Sequence, residues 1–378
     1  MDLTPSPEQK MLRDAAQKYL RAEYGFDARR QLIASDTGMS AAHWRRFAEF
    51  GWLGLGLPEA HGGFGGMPDV VQVAEALSAA LVVEPYLAST VLAGQAIAGA
   101  GTPSQCAALL PPMVAGGRIY TLAHTEADAG ADLAWVTAGA QRQGEGWLLS
   151  GRKTGVPAAP WADAFVVAAR TAGAPGQREG IGLFFVPADT PGVHVEAYRR
   201  YDGARAGELK LDAVALPASA ALGDPAAGWA ALERAVDLAT VAACADALGA
   251  MAAVLAKTGA YLATRRQFDA PLASFQVLQH RLVDMFAAVE SSRSMLLLAA
   301  LHADHPVASE RARAVSAAKV AIGERGRYVA QQGVQLHGGV GMTEELDIGH
   351  YFRRLTLFQH AFGGSEHHLK RFAALRAG

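Results

Sequence analysis

The run AACADALGAMAAVLA, beginning at Ala242, would place apolar residues on every face of a helix and carries a single charge, Asp246. A helix of that kind has no side to give to water, so it must be surrounded. Its alanines and its one carboxylate suit close helix–helix packing better than a bilayer, and no membrane insertion is expected. The same character extends from about Pro225 to the end, in long Ala/Leu-rich segments that stabilise one another only by mutual burial.

The rest of the chain reads differently. Ser6-Pro7-Glu8-Gln9 has the form of a helix start, and Met11, Leu12, Ala15, Ala16, Tyr19 and Leu20 then recur at helical spacing. Further helices are expected over residues 40–50, 69–82, 86–99 and 103–115. From about Ile119 the pattern shortens to GWLLSGRK, DAFVVAAR, GIGLFFVPAD, GVHVEAYRR and GELKLDAVALP, each bounded by turn residues, which reads as a β domain. Residues 171–180 read as a flexible hairpin connection on the surface. The order helical, β, helical divides the chain at 1–117, 118–223 and 224–378, an α+β protein. At 378 residues and 51% hydrophobic it has material for two or three cores. The net charge of -2 leaves no broad basic field, so nucleic acid is excluded as a partner. Cys106 and Cys244 lack metal-site spacing and read as buried small hydrophobes. The amino terminus lacks a basic segment followed by an apolar run, and a cytoplasmic location is expected.

Two segments carry chemistry. TRRQFDAPLASFQVLQH spans residues 264–280, and QQGVQLHGGVGMTEE begins at Gln331. Arg265 and Arg266 offer planar forks for phosphate, Gln267 and Gln335 offer amide donors and acceptors, and Phe268 offers an aromatic face. Gly338 and Gly339 let backbone approach a ligand where a Cβ would collide. Together these groups suit the pyrophosphate and adenine ends of a dinucleotide. The same residues also suit a plain helix end, with the Arg pair beside a C-terminus and the glycines as a C-cap.

The pairing resembles the acyl-CoA dehydrogenase family, from about residue 6 to about residue 375. The resemblance implies a helical domain, a middle β-barrel and a C-terminal four-helix bundle that builds a tetramer. It also implies FAD, with Arg265, Gln267, Phe268, Gln335, Gly338 and Gly339 contacting the cofactor held mainly by a neighbouring subunit. Asp269 stands where the family usually has Gly. LGLPEAHGGFGG, from Leu55, resembles the family's glycine-rich loop, though glycines at this density serve turns more often than phosphates.

Elsewhere the pattern breaks. HTEADAGAD, from His124, resembles the turn that meets the flavin ring, with Thr125, Glu126, Gly130 and Asp132 matching and Ala131 replacing a Ser. Where the family has Trp and Thr at the ring, this chain has Gly155 and Pro157, which supply neither an aromatic face nor a hydroxyl. The family's reaction needs a carboxylate to take the α-proton of an acyl-CoA. Its two known places are occupied here by Gly363 and by Ala239 with Thr240. Glu366 is a weak substitute and reads more simply as a first-turn acid; Asp237, His367 and His368 are weaker still, the His pair reading as a solvated edge.

Losing the ring face and base while keeping the adenine-end motifs points to a partner subunit. The chain resembles the small subunits of paired acyl-CoA dehydrogenases, as in pimeloyl-CoA dehydrogenase and the heteromeric enzymes of steroid degradation, and YGFDARR, FQVLQHRLVDMF, RARAVSAAKV and GHYFRRLTLF strengthen that likeness. A homologous Glu-bearing large subunit, an acyl-CoA and an acceptor such as electron-transfer flavoprotein are the implied partners. Two other readings stay open: a self-sufficient homotetramer using Glu366, and a flavin-free acyl-CoA-binding scaffold.

Overall fold

Helix α1 (Pro7–Glu23) starts as its sequence dictates, with Ser6 as cap: Ser6 Oγ accepts from the Gln9 N–H and Gln9 Oε1 accepts from the Ser6 N–H. A computed structural model describes residues 5–376. Along the chain follow α2 (Phe26–Ala34), α3 (Ala41–Glu49), α4 (Met67–Ala79), a π-helical stretch Leu87–Ala93 that runs into α5 (Gly94–Ala100), and α6 (Pro103–Val114). Seven strands come next: β1 (Tyr120–Ala123), β2 (Gly139–Gln143), β3 (Gly146–Pro157), β4 (Ala164–Arg170), β5 (Ile181–Pro187), β6 (Val193–Arg199) and β7 (Arg205–Leu216). The remainder is α7 (Trp229–Thr264), the two-residue strands β8 (Arg266–Gln267) and β9 (Ala270–Pro271), α8 (Gln276–Leu301), α9 (Ala308–His337), α10 (Ile348–His360) and α11 (Ser365–Arg376).

These elements form two packing units. The first takes residues 5–34, 67–82 and 240–376, so α1, α2 and α4 pack with the C-terminal helices; the second takes 35–66 and 83–239. The units thus follow different lines from the segments read in the sequence, because α4 serves the helical core while the 35–66 stretch serves the sheet unit.

In the first unit, α8, α10 and α11 all pack against α9. α7 lies tight on α4 at Gly249, where an added Cβ would come 2.1 Å from the Glu75 carbonyl oxygen. That crossing admits only glycine. By length and composition α7 would pass as a membrane span, yet 78% of its most apolar window is buried inside the protein. A solvated apolar face is thereby avoided without lipid.

In the second unit the seven strands form one curled sheet in the order β1-β4-β2-β3-β7-β6, with β5 paired to β4. Every residue of β4, AFVVAAR, is buried, as a strand covered on both faces requires. β6 is an edge strand and is exposed along nearly its whole length. Trp147, Leu149, Phe165, Val167, Phe184 and Val214 form the core against the sheet. Cys106 and Cys244 are buried and free, as expected.

One expectation is corrected here. The 171–180 connection is not loose, because Arg170, itself buried, donates to the carbonyls of Ala134, Val136, Ala172, Gln177 and Glu179 at 2.8–3.2 Å. One guanidinium ties both ends of the connection to the 134–136 backbone.

Candidate functional site

The chemistry-bearing segment after α7 is a tight hairpin. The Arg265 N–H donates to Tyr261 O (2.8 Å), completing the last turn of the helix, and Leu272 N–H donates back to Arg265 O (2.8 Å). Between them β8 and β9 pair Arg266 with Pro271 and Gln267 with Ala270. The two central residues, Phe268 and Asp269, both have left-handed backbone, φ +52° and +61°. That is the pattern of a type I′ turn, and it explains how Asp replaces the family's Gly: Asp tolerates this region well. Phe tolerates it poorly, and its ring is 87% exposed, touching only the edge of Phe275 at 6.1 Å among the described rings. Arg266 is committed to the hairpin through Asp269 O (2.8 Å), and Gln267 donates to Arg266 O. The Arg265 guanidinium is exposed and makes no hydrogen bond or ion pair among the described residues.

The second segment ends α9. His337 is buried, its Nδ1 2.7 Å from Gly333 O, and its ring stacks on Tyr261 with centroids 4.4 Å apart. This stack joins the C-terminal ends of α7 and α9, so the hairpin and the loop after His337 leave from neighbouring helix ends. Sequence reading had assigned Tyr261 and His337 no role. Gly338 has φ +65° and ψ -146°, a conformation open only to glycine. A Cβ built on Gly338 or Gly339 would meet no atom within 4 Å among the described residues, so none of them demands the small residue at 339. Gln335 and both glycines are exposed. Two helix C-termini bring partial negative charge here, so a phosphate would depend on the free guanidinium of Arg265 rather than on the helix dipoles.

In the sheet unit, the turn from His124 is organised around a buried ion pair. Lys153 Nζ is 2.6 Å from Glu126 Oε1, with Lys153 fully buried and Glu126 5% exposed. Glu126 also accepts from the N–H and hydroxyl of Thr137 and from Ala138 N–H. Burial pushes the Glu126 carboxyl up, but Lys153 and these donors outweigh it and hold it below the usual range. Glu126 therefore anchors the turn. Burial, then the neighbouring Lys153 charge, push His124 down to about 4. Gly155 sits in a register shift of β3, exposed at φ +61°, its N–H on Glu208 Oε1 (3.2 Å). A Cβ there would find only the Tyr198 hydroxyl, 4.0 Å away, and glycine itself supplies no ring. Pro157 O accepts from the Thr121 hydroxyl.

Where the resemblance would put the base, the residues present are not carboxylates. Gly363 is buried at φ +99°, between Phe362 at φ +55° and Gly364, where a carboxylate-bearing L-residue would be strained. Ala239 is fully buried on α7, and Asp237 and Thr240 are each 1% exposed. Glu366 points into solvent, its side chain 82% exposed and paired with Lys370 at 2.6 Å, which holds its carboxyl low. The reading of both histidines as a solvated edge is corrected for His368. That ring is buried between Ser316 Oγ (3.2 Å) and Phe362 O (3.0 Å), and burial first of all drives it to about 3. Sequence reading also missed Lys319, buried with Nζ 2.7 Å from Phe358 O at the end of α10. The signal was a lone cation within the apolar run SAAKVAIG.

Three segments match family descriptions: "Acyl-CoA dehydrogenase, N-terminal domain" over residues 6–117, "middle domain" over 121–214 and "C-terminal domain" over 226–375. A curated relative, "Acyl-CoA dehydrogenase FadE27" of Mycobacterium tuberculosis, is 33% identical over 336 residues, covering 87% of this chain and 86% of that one. Among solved structures, the ChsE4-ChsE5 complex from Mycobacterium tuberculosis is 31% identical with TM-score 0.90, covering 100% of this chain and 99% of the other. A glutaryl-CoA dehydrogenase from Mycobacterium smegmatis in complex with FADH2 is 26% identical with TM-score 0.90, covering 100% and 96%.

Proposed function

The chain belongs to the acyl-CoA dehydrogenase family of FAD-using oxidoreductases, and on that premise we propose that it is the base-less subunit of a heteromeric member. In this reading Arg265, Gln267, Phe268, Gln335, Gly338 and Gly339 meet the adenine and pyrophosphate end of an FAD whose ring lies mainly in a neighbouring chain. The glutamate that takes the acyl α-proton belongs to that homologous partner. The observation that carries the proposal is the contrast between the two ends. Phe268 is held 87% exposed on an unfavourable left-handed backbone beside an uncommitted Arg265, a costly arrangement unless a ligand or neighbouring chain covers it. By contrast Gly155 and Gly363 offer neither a ring nor a base.

Bound FAD supplies the hydride acceptor of an α,β-dehydrogenation. This chain's residues contribute binding: a planar guanidinium for the pyrophosphate, amides at the adenine end, and open glycine backbone. The likeness to the ChsE4-ChsE5 complex supports a heteromer, and a dicarboxylyl, branched or polycyclic acyl-CoA is the substrate class proposed. Electrons would pass to a carrier such as electron-transfer flavoprotein, in the cytoplasm. The exposed pairing of Glu366 with Lys370 weighs against the homotetramer, and the uncommitted Arg265 against the flavin-free scaffold.

The test is co-expression with a Glu-bearing homologue, reading flavin per chain and acyl-CoA-dependent reduction of an artificial acceptor. The isolated chain is expected to hold little flavin and to turn nothing over. In the assembly, Arg265→Ala should weaken FAD binding about tenfold to a hundredfold, as for a charge-assisted contact of roughly 1.5–3 kcal/mol, with Arg265→Lys recovering part. Stoichiometric flavin and turnover from the chain alone, lost on Glu366→Gln, would overturn the reading in favour of the homotetramer.

A further inference from the structure

Arg29, on α2 within YGFDARR, is 1% exposed and among the largest fully buried side chains of the protein. A cation so far from water is retained only where its donors are matched. Its Nε donates to the carbonyl of Leu81 (2.7 Å), a residue of left-handed backbone, φ +57°. One terminal nitrogen lies 3.0 Å from His350 Nδ1 on α10. A guanidinium can only donate, so Nδ1 must accept and the imidazole hydrogen sits on Nε2. Nε2 lies 3.3 Å from Glu344 Oε2 but out of hydrogen-bonding alignment, so the neutral ring packs against a carboxylate whose two oxygens are held by Arg353 at 2.7 and 2.8 Å. Phe26 presses edge-on against His350, centroids 4.9 Å apart. Burial, with the Arg29 and Arg353 charges beside it, drives His350 down to about 4, so the ring stays neutral and its tautomer is fixed. Glu344 closes the loop that begins at Gly338, and three residues on Asp347 is tied to Lys257 at 2.7 Å.

We propose that Arg29 is a positioning residue for the 338–347 loop, acting through His350 and Glu344 to hold the backbone of Gly338 and Gly339 ready for the cofactor. The last clause rests on the reading of that loop given above; the mechanical part does not. Two of the sequence runs that strengthen the likeness to small subunits, YGFDARR and GHYFRRLTLF, then have a shared purpose, since each supplies one half of the contact. An unheld loop would lose backbone entropy on each binding event, and a loop ordered in advance binds more tightly for the same contacts.

Hydrogen exchange of the full chain tests the mechanical part directly. Arg29→Met should speed exchange of the 338–347 amides about tenfold or more, with α9 unchanged. Glu344→Gln, at a surface position, should act in the same direction. The double variant should exchange no faster than the more affected single one, because both cut one chain of contacts. Multiplied effects, or a loop indifferent to Glu344→Gln, would overturn the proposal. If Arg29→Met does not fold, Arg29→Lys, which cannot reach both Leu81 O and His350 Nδ1, takes its place in the cycle. Flavin retention by the assembled Glu344→Gln variant should fall severalfold. Retention unchanged there but lost in Arg265→Ala refutes the positioning role alone, whereas retention unchanged in both refutes the cofactor reading of the site.

Discussion

Replacing Lys153 by Met probes the buried pair that organises the turn from His124. The ammonium is fully buried and 2.6 Å from Glu126, so its removal leaves a carboxylate that is 5% exposed without a counter-charge. Breaking a buried pair from one side costs about 3–5 kcal/mol. Here three donors remain on Glu126, from Thr137 and Ala138, which places the expected cost near the lower end, about 3 kcal/mol. Glu126→Gln combined with Lys153→Met should recover all but about 1–2 kcal/mol, since no unpaired charge is left.

The pH dependence follows from the same contacts. In the native protein the Glu126 carboxyl is held low, so its contribution is complete above the unfolded carboxylate value of about 4.3 and is lost as pH falls through the folded value. Without Lys153 only the hydrogen bonds oppose burial and the carboxyl rises. It then protonates under mild acid, and the cost of Lys153→Met should shrink between pH 7 and about 5. His124 stays neutral over that window in the native protein, where burial and Lys153 push it to about 4, and in the variant burial, the larger cause, still holds it down. Urea unfolding followed by circular dichroism, with limited proteolysis of the sheet unit, measures both effects. A cost below about 1 kcal/mol at pH 7, or one flat down to pH 5, would show that the pair is not the anchor claimed.

Arg170→Met should strand the five carbonyls that this side chain joins and cost about 2–4 kcal/mol, with new protease cleavage within 171–180; an uncleaved connection would refute the pinning argument. Gly338→Ala should cost about 1–3 kcal/mol through backbone strain alone, because the space around its Cβ is open, whereas Gly339→Ala should leave the melting temperature unchanged and lower only flavin retention in the assembly. Equal effects of the two substitutions on stability would refute the distinction.

What the sequence made legible were features with a local cause. The Ser6 cap, the period of the first helix and the short strands bounded by turn residues are each written within a few residues, and the structure contains them. The family motifs are legible for the same reason, being short runs of fixed order. Burial of a charge leaves little such signature: an apolar run surrounds Lys319, but the carbonyls that receive the buried cations come from 52 positions away for Arg29 and 39 for Lys319. His368 was misplaced on the surface because its partners, Ser316 Oγ and Phe362 O, are supplied by another helix and a turn.

The same limit explains the packing units. Which helices share a core depends on contacts such as Gly249 on the Glu75 carbonyl, and a glycine in an Ala-rich helix looks like a flaw until the opposing backbone arrives. The exposed and the buried halves of the candidate site therefore differ in how they could be found. Arg265, Phe268 and Gly339 are unsatisfied by their own chain and could be named from motif alone. The residues proposed to hold them in place pair with one another across long stretches of chain, Tyr261 with His337 and Arg29 with His350, and only geometry connects them to the site.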